Sequence, residues 1–243
     1  MERAPLRLDD SALRRYRDEG YVRLGPIVSE AERHALLAEE SRFRPRLGYG
    51  TRENRTLLVS MQLCHRSEAV RRTCTAGRHV PLVVQLLGPN VCLTHTQFLT
   101  KLPDGAETRS DIPWHQDNGY GRLEPMTDVT VWLALTDADE RNGGLWIVPG
   151  SHRRGLLEHG AAGVNPLLRE SAVEGDAVAV PLRAGEAVAF SGLTVHGSGP
   201  NRSERPRTGF YARYCEPGVR MMSENGRPVL EDPHSWMVAG EAE

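Results

Sequence analysis

The strongest constraint on the fold is a change of pattern at Val91. From there to Cys215 the chain alternates short runs of β-favouring residues with Gly, Pro and Asp turns. Eight runs are predicted to be strands: 91–101, 114–117, 129–136, 144–148, 177–181, 187–190, 194–196 and 208–215. About eight strands fit a double-sheet jelly roll, the architecture of the cupins. We therefore predict a mainly β protein with a jelly-roll core, or double-stranded β-helix, and flanking helices.

The part of the chain before this core is predicted to be mainly helical. Ser29 and Glu32 have the spacing of a capping box, and the apolar residues after them follow a helical period. Helices are expected over residues 12–19, 29–43, 67–76 and 79–87, with a short strand at 21–24. Without a repeat or an interdomain linker, residues 1–243 are predicted to be one domain. It would comprise a helical part (about 1–90), a jelly-roll core (about 91–216) and a loosely ordered, polar C-terminal tail.

Charge and hydropathy exclude several classes of function. The chain has 30 basic and 32 acidic residues, which leaves no electrostatic footprint for nucleic acid or an anionic membrane. No run approaches the roughly 18 apolar residues of a membrane span, and the N-terminus lacks the apolar core of a signal peptide. The four cysteines form no C-x-x-C pair, which favours reduced thiols. We expect a cytoplasmic protein that binds a small molecule, and leave open whether it is a monomer or a dimer.

Three residues have the side chains of a metal site. His115 and Asp117 are separated by one residue, and His196 follows much later in the chain. Residues two apart in a strand point to the same face, so one ion can contact both. Two imidazoles and one carboxylate are the facial ligand set of non-haem iron(II) oxygenases. An isolated H-x-D is also common as a salt-bridging pair, so the prediction depends on what accompanies it.

An arginine after the distant histidine supports the metal interpretation. Three protein ligands on one face of iron leave positions for a bidentate 2-oxo acid and for dioxygen. The far carboxylate of a dicarboxylic 2-oxo acid then needs a cation deeper in the barrel. Arg207 begins the last predicted strand, and a guanidinium matches a carboxylate with two parallel hydrogen bonds. Its neighbours Arg202, Arg205 and Arg213 are alternatives, and so is an exposed loop position for Arg207.

Three motifs occur in the order found in one enzyme family. They are WHQD at 114–117, NGGLWIVPGSH at 142–152 and HGSGPNRS at 196–203. With them the chain resembles the phytanoyl-CoA dioxygenase family of iron(II)/2-oxoglutarate oxygenases over most of residues 10–216. The resemblance implies Fe(II), 2-oxoglutarate as cosubstrate, O2, and release of succinate and CO2.

The resemblance also assigns site residues. His115, Asp117 and His196 match the iron ligands of the family. Arg207 matches the arginine that binds the C5 carboxylate of 2-oxoglutarate, and Ser198 matches a hydroxyl that supports the same cosubstrate. These five residues are therefore expected to meet in one cavity.

Other residues near the motifs are assigned with open alternatives. The resemblance relates Trp132 to an aromatic residue near the cosubstrate, and Gln97 to a residue that faces cosubstrate or substrate. A strand-surface amide is the alternative for Gln97. Lys101 is a weaker candidate, since a strand-end lysine that reaches solvent explains it equally well. His152 is expected to be structural because the triad is complete without it, and His95 to be a core histidine.

Asp117 also bears on the outcome of the reaction. In halogenating relatives a small residue at this position frees a coordination site for chloride, so the carboxylate here implies oxygen chemistry. The main hypothesis is hydroxylation of an unactivated C–H bond in a small molecule, of secondary-metabolite or sugar type. Ring closure, desaturation and epimerisation are alternatives, and a non-catalytic jelly-roll binding module is a remote one. Asn118, Tyr120 and Trp146 are expected to form pocket wall.

Overall fold

The structure is a computed structural model that describes residues 4–45, 55–160, 167–168, 173, 175–222, 228–230 and 236–240. The helices in these ranges are α1 (Asp10–Glu19), α2 (Glu30–Phe43), α3 (Glu68–Ala76), α4 (Val80–Leu87) and α5 (Asp117–Tyr120). The first eight strands are β1 (Tyr21–Pro26), β2 (Leu57–Met61), β3 (Val91–Lys101), β4 (Ile112–His115), β5 (Arg122–Glu124), β6 (Val129–Ala134), β7 (Leu145–Ile147) and β8 (His159–Gly160). The others are β9 (Leu167–Leu168), β10 (Val178–Val180), β11 (Glu186–Ser191), β12 (His196–Ser198), β13 (Arg207–Cys215), β14 (Arg220–Met222), β15 (Pro228–Leu230) and β16 (Trp236–Ala239).

Two antiparallel sheets form the jelly roll. The larger has the order β1-β11-β6-β13-β3-β16, with β2 also paired to β3, and the smaller has the order β10-β7-β12-β4. An apolar cluster joins them, with Trp132 and Phe190 from the larger sheet against Leu145 and Ile147 from the smaller. Every strand predicted from the sequence is present, and β3 has the predicted bounds. The predicted jelly roll with flanking helices is confirmed.

The helices cover the other face of the larger sheet. Leu36 of α2, Val70 of α3 and Leu82 of α4 are buried in one cluster with Phe98 and Phe210 of the sheet. The predicted capping box is present at the start of α2, where the Ser29 and Glu32 side chains exchange hydrogen bonds with each other's backbone N–H. With the outer face of the sheet covered in this way, its inner face is left for the smaller sheet and for a cavity.

The sheets extend beyond the predicted core of residues 91–216. β1 pairs with β11 and β2 pairs with β3, so the mainly helical N-terminal part supplies two strands. The tail, predicted to be loosely ordered, supplies β16 at the edge of β3. The strand predicted at 21–24 is β1, whereas β2 and β16 were missed because their stability comes from pairing with distant partners and not from local pattern. Residues 223–227 and 231–235 of the tail lie outside the described residues.

None of the described helices is long and apolar enough to span a membrane. The four cysteines are buried and form no disulfide with one another.

Candidate active site

The three candidate metal ligands come from two neighbouring strands and one helix start. His115 ends β4, and it is the register partner of His196, which begins β12. Asp117 does not continue the strand as predicted from the sequence, because it begins α5. The turn from strand into helix, and not strand alternation, therefore brings Asp117 to the same side as His115. The predicted strand over 114–117 was wrong at its C-terminal end.

The side-chain atoms of this triad converge on one point. The Nε2 atoms of His115 and His196 lie 4.0 and 3.7 Å from Oδ1 of Asp117, and one ligand atom from each residue lies within 4.8 Å of the other two. The Nδ1 atoms are 2.7 Å from Pro113 O and 2.9 Å from Thr194 O. Because a carbonyl can only accept, both Nδ1 atoms carry the proton and both Nε2 lone pairs face the common point. This donor set fits a divalent transition metal.

The electrostatics of the triad keep it in the protonation state that binds metal. Burial, and then the neighbouring His196, lower the pKa of His115 to about 3, so its ring is neutral near pH 7. Burial raises the pKa of Asp117, but its neighbours His196 and Arg213 lower it by more, so the net shift is downward. Thr130 also donates a 2.6 Å hydrogen bond to Oδ2 of Asp117. The carboxylate is thus ionised, with Oδ1 available to a metal.

Arg207 is buried at the start of β13, with only 2% of its surface exposed. One guanidinium nitrogen donates to the backbone carbonyl of Gly143, while Nε and Nη1 have no partner among the described residues. The guanidinium carbon lies 5.5 Å from the centre of the Trp132 ring. Burial lowers the pKa of Arg207 to about 9, so the group stays charged at neutral pH. Buried charged donors without partners are costly, so this pair of N–H groups fits an anionic ligand.

The structure distinguishes Arg207 from the other arginines considered. Arg202 and Arg205 are exposed, and Arg207 is not the exposed loop cation offered as an alternative. Arg213 lines the same cavity, but its Nε donates to Oδ2 of Asp128 at 2.7 Å. Its Nη2 donates to Asn118, which was expected in the pocket wall and instead braces this ion pair. The charge of Arg213 is therefore already compensated by the fold.

A cavity of about 290 Å³ connects the triad with Arg207. The residues that line it also include Trp132, Ser198, Gln97, His95 and Tyr120. The rest of its wall is largely apolar and includes Leu57, Val59, Met61, Leu99, Leu123 and Met221. Substrate contacts were predicted from residues 44–66 as a loop at the barrel mouth, and the residues of that segment that line the wall, Leu57, Val59 and Met61, belong to strand β2 instead. Trp146 is not among the described residues that line the cavity, contrary to expectation.

Two polar residues of the cavity are linked to each other. The Tyr211 hydroxyl donates to Oε1 of Gln97 at 3.1 Å, and the His95 ring stacks on Tyr211 with 5.6 Å between centroids. Gln97 therefore faces the cavity and not the sheet surface. His95 was expected to be a core histidine but lies in the cavity wall.

Lys101 is fully buried, which excludes the alternative of a strand-end lysine that reaches solvent. The strand-end position suggested exposure, but β13 and β2 flank β3 on both sides at this point. The lysine ammonium donates a 2.6 Å hydrogen bond to Oγ of Ser198.

Gln116 braces the turn between the two ligands that flank it. Its side chain donates to Leu193 O at 2.6 Å and to Gly155 O at 2.9 Å. Its backbone N–H donates to Nε2 of His159 at 3.0 Å. Sequence analysis gave no role to His159, and no local signal indicated this contact. His152 bonds the backbone carbonyl of Arg17, outside the cavity lining.

Comparison with known proteins identifies the family of the sequence. The pattern of the family described as Phytanoyl-CoA dioxygenase (PhyH) matches residues 16–209. The peroxisomal phytanoyl-CoA dioxygenase of Rattus norvegicus is 28% identical over 187 residues, which cover 74% of this chain and 55% of that protein. The methylphosphonate hydroxylase of Gimesia maris is 28% identical over 221 residues, which cover 85% of this chain and 80% of that protein. The match thus spans about half the length of the rat relative.

A solved structure agrees with the fold. The non-heme alpha ketoglutarate dependent epimerase SnoN from nogalamycin biosynthesis has a TM-score of 0.74 and 25% identity to this chain. The superposition covers 90% of this chain and 85% of SnoN. With the sequence pattern matched over most of its length and this likeness in fold, the chain belongs to the phytanoyl-CoA dioxygenase family.

Proposed function

We propose that the chain is an iron(II)- and 2-oxoglutarate-dependent oxygenase that hydroxylates a C–H bond of a small molecule. One observation carries this proposal: the His115, Asp117 and His196 triad opens into the same cavity as Arg207, whose Nε and Nη1 have no partner among the described residues. A ligand that chelates metal at one end and is a carboxylate at the other satisfies both ends of this cavity. 2-Oxoglutarate has that chemistry, and relatives in the family are named dioxygenases.

The triad would hold iron through two Nε2 atoms and Oδ1 of Asp117. Bound iron, 2-oxoglutarate and O2 supply the oxidising power, with succinate and CO2 as the products of the cosubstrate. The protein orients each ligand through a hydrogen bond on the side away from the metal. Pro113 O holds His115, Thr194 O holds His196 and the Thr130 hydroxyl holds Asp117. Such supporting contacts set both the ring tautomers and the carboxylate oxygen that faces the metal.

The far carboxylate of the cosubstrate would lie between Arg207 and Ser198. Nε and Nη1 of Arg207 supply two charged donors, while the bond to Gly143 O holds the guanidinium plane in place. Trp132 packs against the guanidinium and excludes water from it. Because the site is buried, each of these hydrogen bonds is stronger than it would be in water.

The apolar part of the cavity would receive the substrate. Among the described lining residues, the charged groups are Asp117, Arg207 and the ion-paired Arg213. This wall fits an uncharged or weakly polar small molecule, such as a secondary-metabolite intermediate. Gln97, fixed by Tyr211, would face either that substrate or the cosubstrate.

A second outcome, epimerisation, is favoured by the likeness to the epimerase SnoN. Product mass separates the outcomes. Hydroxylation adds one oxygen atom, ring closure or desaturation removes two hydrogens, and epimerisation leaves the mass unchanged.

Succinate release tests the proposed function. Iron-loaded protein, 2-oxoglutarate and O2 are incubated with pooled candidate metabolites, and succinate is measured alongside product mass. We expect succinate that depends on O2 and is abolished in His196→Ala. An equal yield from His196→Ala, or none with any pool while iron and 2-oxoglutarate bind, would favour the non-catalytic binding module instead.

A further inference from the structure

A second cation is buried beside Arg207, and the proposed function does not use it. Lys101 ends β3 and is the register partner of Arg207 on β13. None of its surface is exposed, and no described carboxylate lies within salt-bridge distance of its ammonium. A buried, unpaired ammonium costs several kcal/mol unless its N–H groups find acceptors. Its position next to another buried cation increases that cost.

The three hydrogen bonds of Lys101 all go to one short segment. Its Nζ lies 2.6 Å from Ser198 Oγ, 3.2 Å from Ser198 O and 2.6 Å from Gly199 O. Three acceptors match the three N–H groups of an ammonium. Two of them are backbone carbonyls, which can only accept. The lysine thereby holds the end of β12, two residues beyond the proposed iron ligand His196.

These bonds determine the direction in which the Ser198 hydroxyl can donate a hydrogen bond. Because its Oγ accepts from the lysine, its own hydrogen has to point to another acceptor. No group in the described residues accepts that hydrogen, and Ser198 lines the same cavity as Arg207. The hydroxyl is therefore set as a donor toward the cavity, which is the polarity that a carboxylate oxygen requires.

Gly143 joins the lysine to the arginine. Its carbonyl accepts from Arg207, and its φ of +77° is strained for a residue with a side chain. A Cβ at this position would lie 2.5 Å from Gly199 O and 3.0 Å from Cδ of Lys101. Glycine therefore allows the turn at residue 143 to pack closely over Lys101 while the carbonyl of Gly143 holds the guanidinium of Arg207. Lys101, Gly143, Gly199 and Arg207 form one packed unit.

We propose that Lys101 is a positioning residue of the cosubstrate site. It acts through Ser198, whose hydroxyl it fixes as a hydrogen-bond donor to the far carboxylate. This inference rests on the proposed function, in which Arg207 and Ser198 bind that carboxylate.

A double-mutant cycle tests the inference in the iron-loaded protein. The variants are Lys101→Met, Ser198→Ala and the double variant, and 2-oxoglutarate KM and kcat are measured by succinate release. Loss of one hydrogen bond to a charged group corresponds to a KM increase of about 10- to 100-fold. We expect that increase in Lys101→Met with kcat nearly unchanged, and no further increase when it is added to Ser198→Ala. If the KM increases of the two single variants multiply in the double variant, the lysine acts independently of Ser198. That result would overturn the inference.

A shorter cosubstrate analogue provides the matched control. Pyruvate has the chelating end of 2-oxoglutarate but no far carboxylate, so its Kd for the iron-loaded protein should be the same in wild type and Lys101→Met. Equal weakening of pyruvate and 2-oxoglutarate would indicate general damage to the site and contradict the inference.

Stability is controlled through iron stoichiometry and the unfolding midpoint of each variant. If Lys101→Met does not fold, Lys101→Gln, which keeps N–H donors, takes its place in the cycle. If neither folds, the lysine is required by the fold and the inference is wrong.

The outcomes also separate this inference from the proposed function. If Ser198→Ala and Arg207→Ala leave 2-oxoglutarate binding unchanged, the proposed function fails. If both weaken it while Lys101→Met does not, only the role of Lys101 fails.

Discussion

Replacing Arg207 by alanine should weaken 2-oxoglutarate binding by orders of magnitude while iron binding survives. The size of this loss in affinity follows from the contacts of the guanidinium. One nitrogen is already bonded to Gly143 O, so only the unpartnered Nε and Nη1 are available to the cosubstrate. At about 1.5–3 kcal/mol for each charge-assisted hydrogen bond, the loss is about 3–6 kcal/mol. This corresponds to an increase in Kd of about 10²- to 10⁴-fold.

Calorimetric titration of the iron-loaded protein with 2-oxoglutarate, under anaerobic conditions, measures this loss. Arg207→Lys should recover only part of it, because an ammonium keeps the charge but not the planar pair of donors. The exposed neighbour Arg202 supplies the matched control, since Arg202→Ala should leave Kd within about twofold, a surface-site effect. A Kd for Arg207→Ala close to that of wild type would show that Arg207 does not bind the far carboxylate of 2-oxoglutarate and that another cation does.

Two further perturbations act away from the cosubstrate. Thr130→Val removes the hydrogen bond to Oδ2 of Asp117, and we expect about 10- to 100-fold weaker iron binding in a chelator competition. Undiminished affinity would contradict the supporting role of Thr130. Burial lowers the pKa of His79, bonded to Tyr214, to about 4. The unfolded chain therefore takes up this proton first as pH falls, and the free energy of unfolding should drop by up to about 3 kcal/mol between pH 6.5 and 4. Denaturant titrations should show a shallower pH dependence in His79→Gln, and parallel curves would contradict this origin.

The fold could be predicted where local pattern and long-range packing agree. Residues 91–101 carry β-favouring side chains along their whole length, and β3 has those bounds because it lies between β13 and β2 in the sheet. β2 and β16 could not be predicted, because each is stabilised by pairing with β3 and has little local signal of its own. Residues 44–66 were predicted to contact substrate, but as a loop, so the strand that forms this wall of the cavity was not predicted.

The candidate site could be predicted as a set of residue types but not as a set of contacts. H-x-D spacing implied that two ligands would meet, yet the chain brings them together through a strand-to-helix turn. Lys101 and Asn118 were misjudged for one reason: their partners Ser198 and Arg213 lie about a hundred residues away in sequence. Burial of such polar residues depends on tertiary pairing, which sequence spacing does not reveal.

The most direct test of the account is an anaerobic titration of the iron(II)-loaded protein with 2-oxoglutarate, followed by visible absorption. Chelation of iron by the 2-oxo acid should produce a weak charge-transfer band that saturates at one cosubstrate per chain. His115→Ala should abolish the band, whereas Arg207→Ala should require far more 2-oxoglutarate to reach it. No band in the wild type, or an equal band in His115→Ala, would contradict the claim that this cavity is an iron and 2-oxoglutarate site.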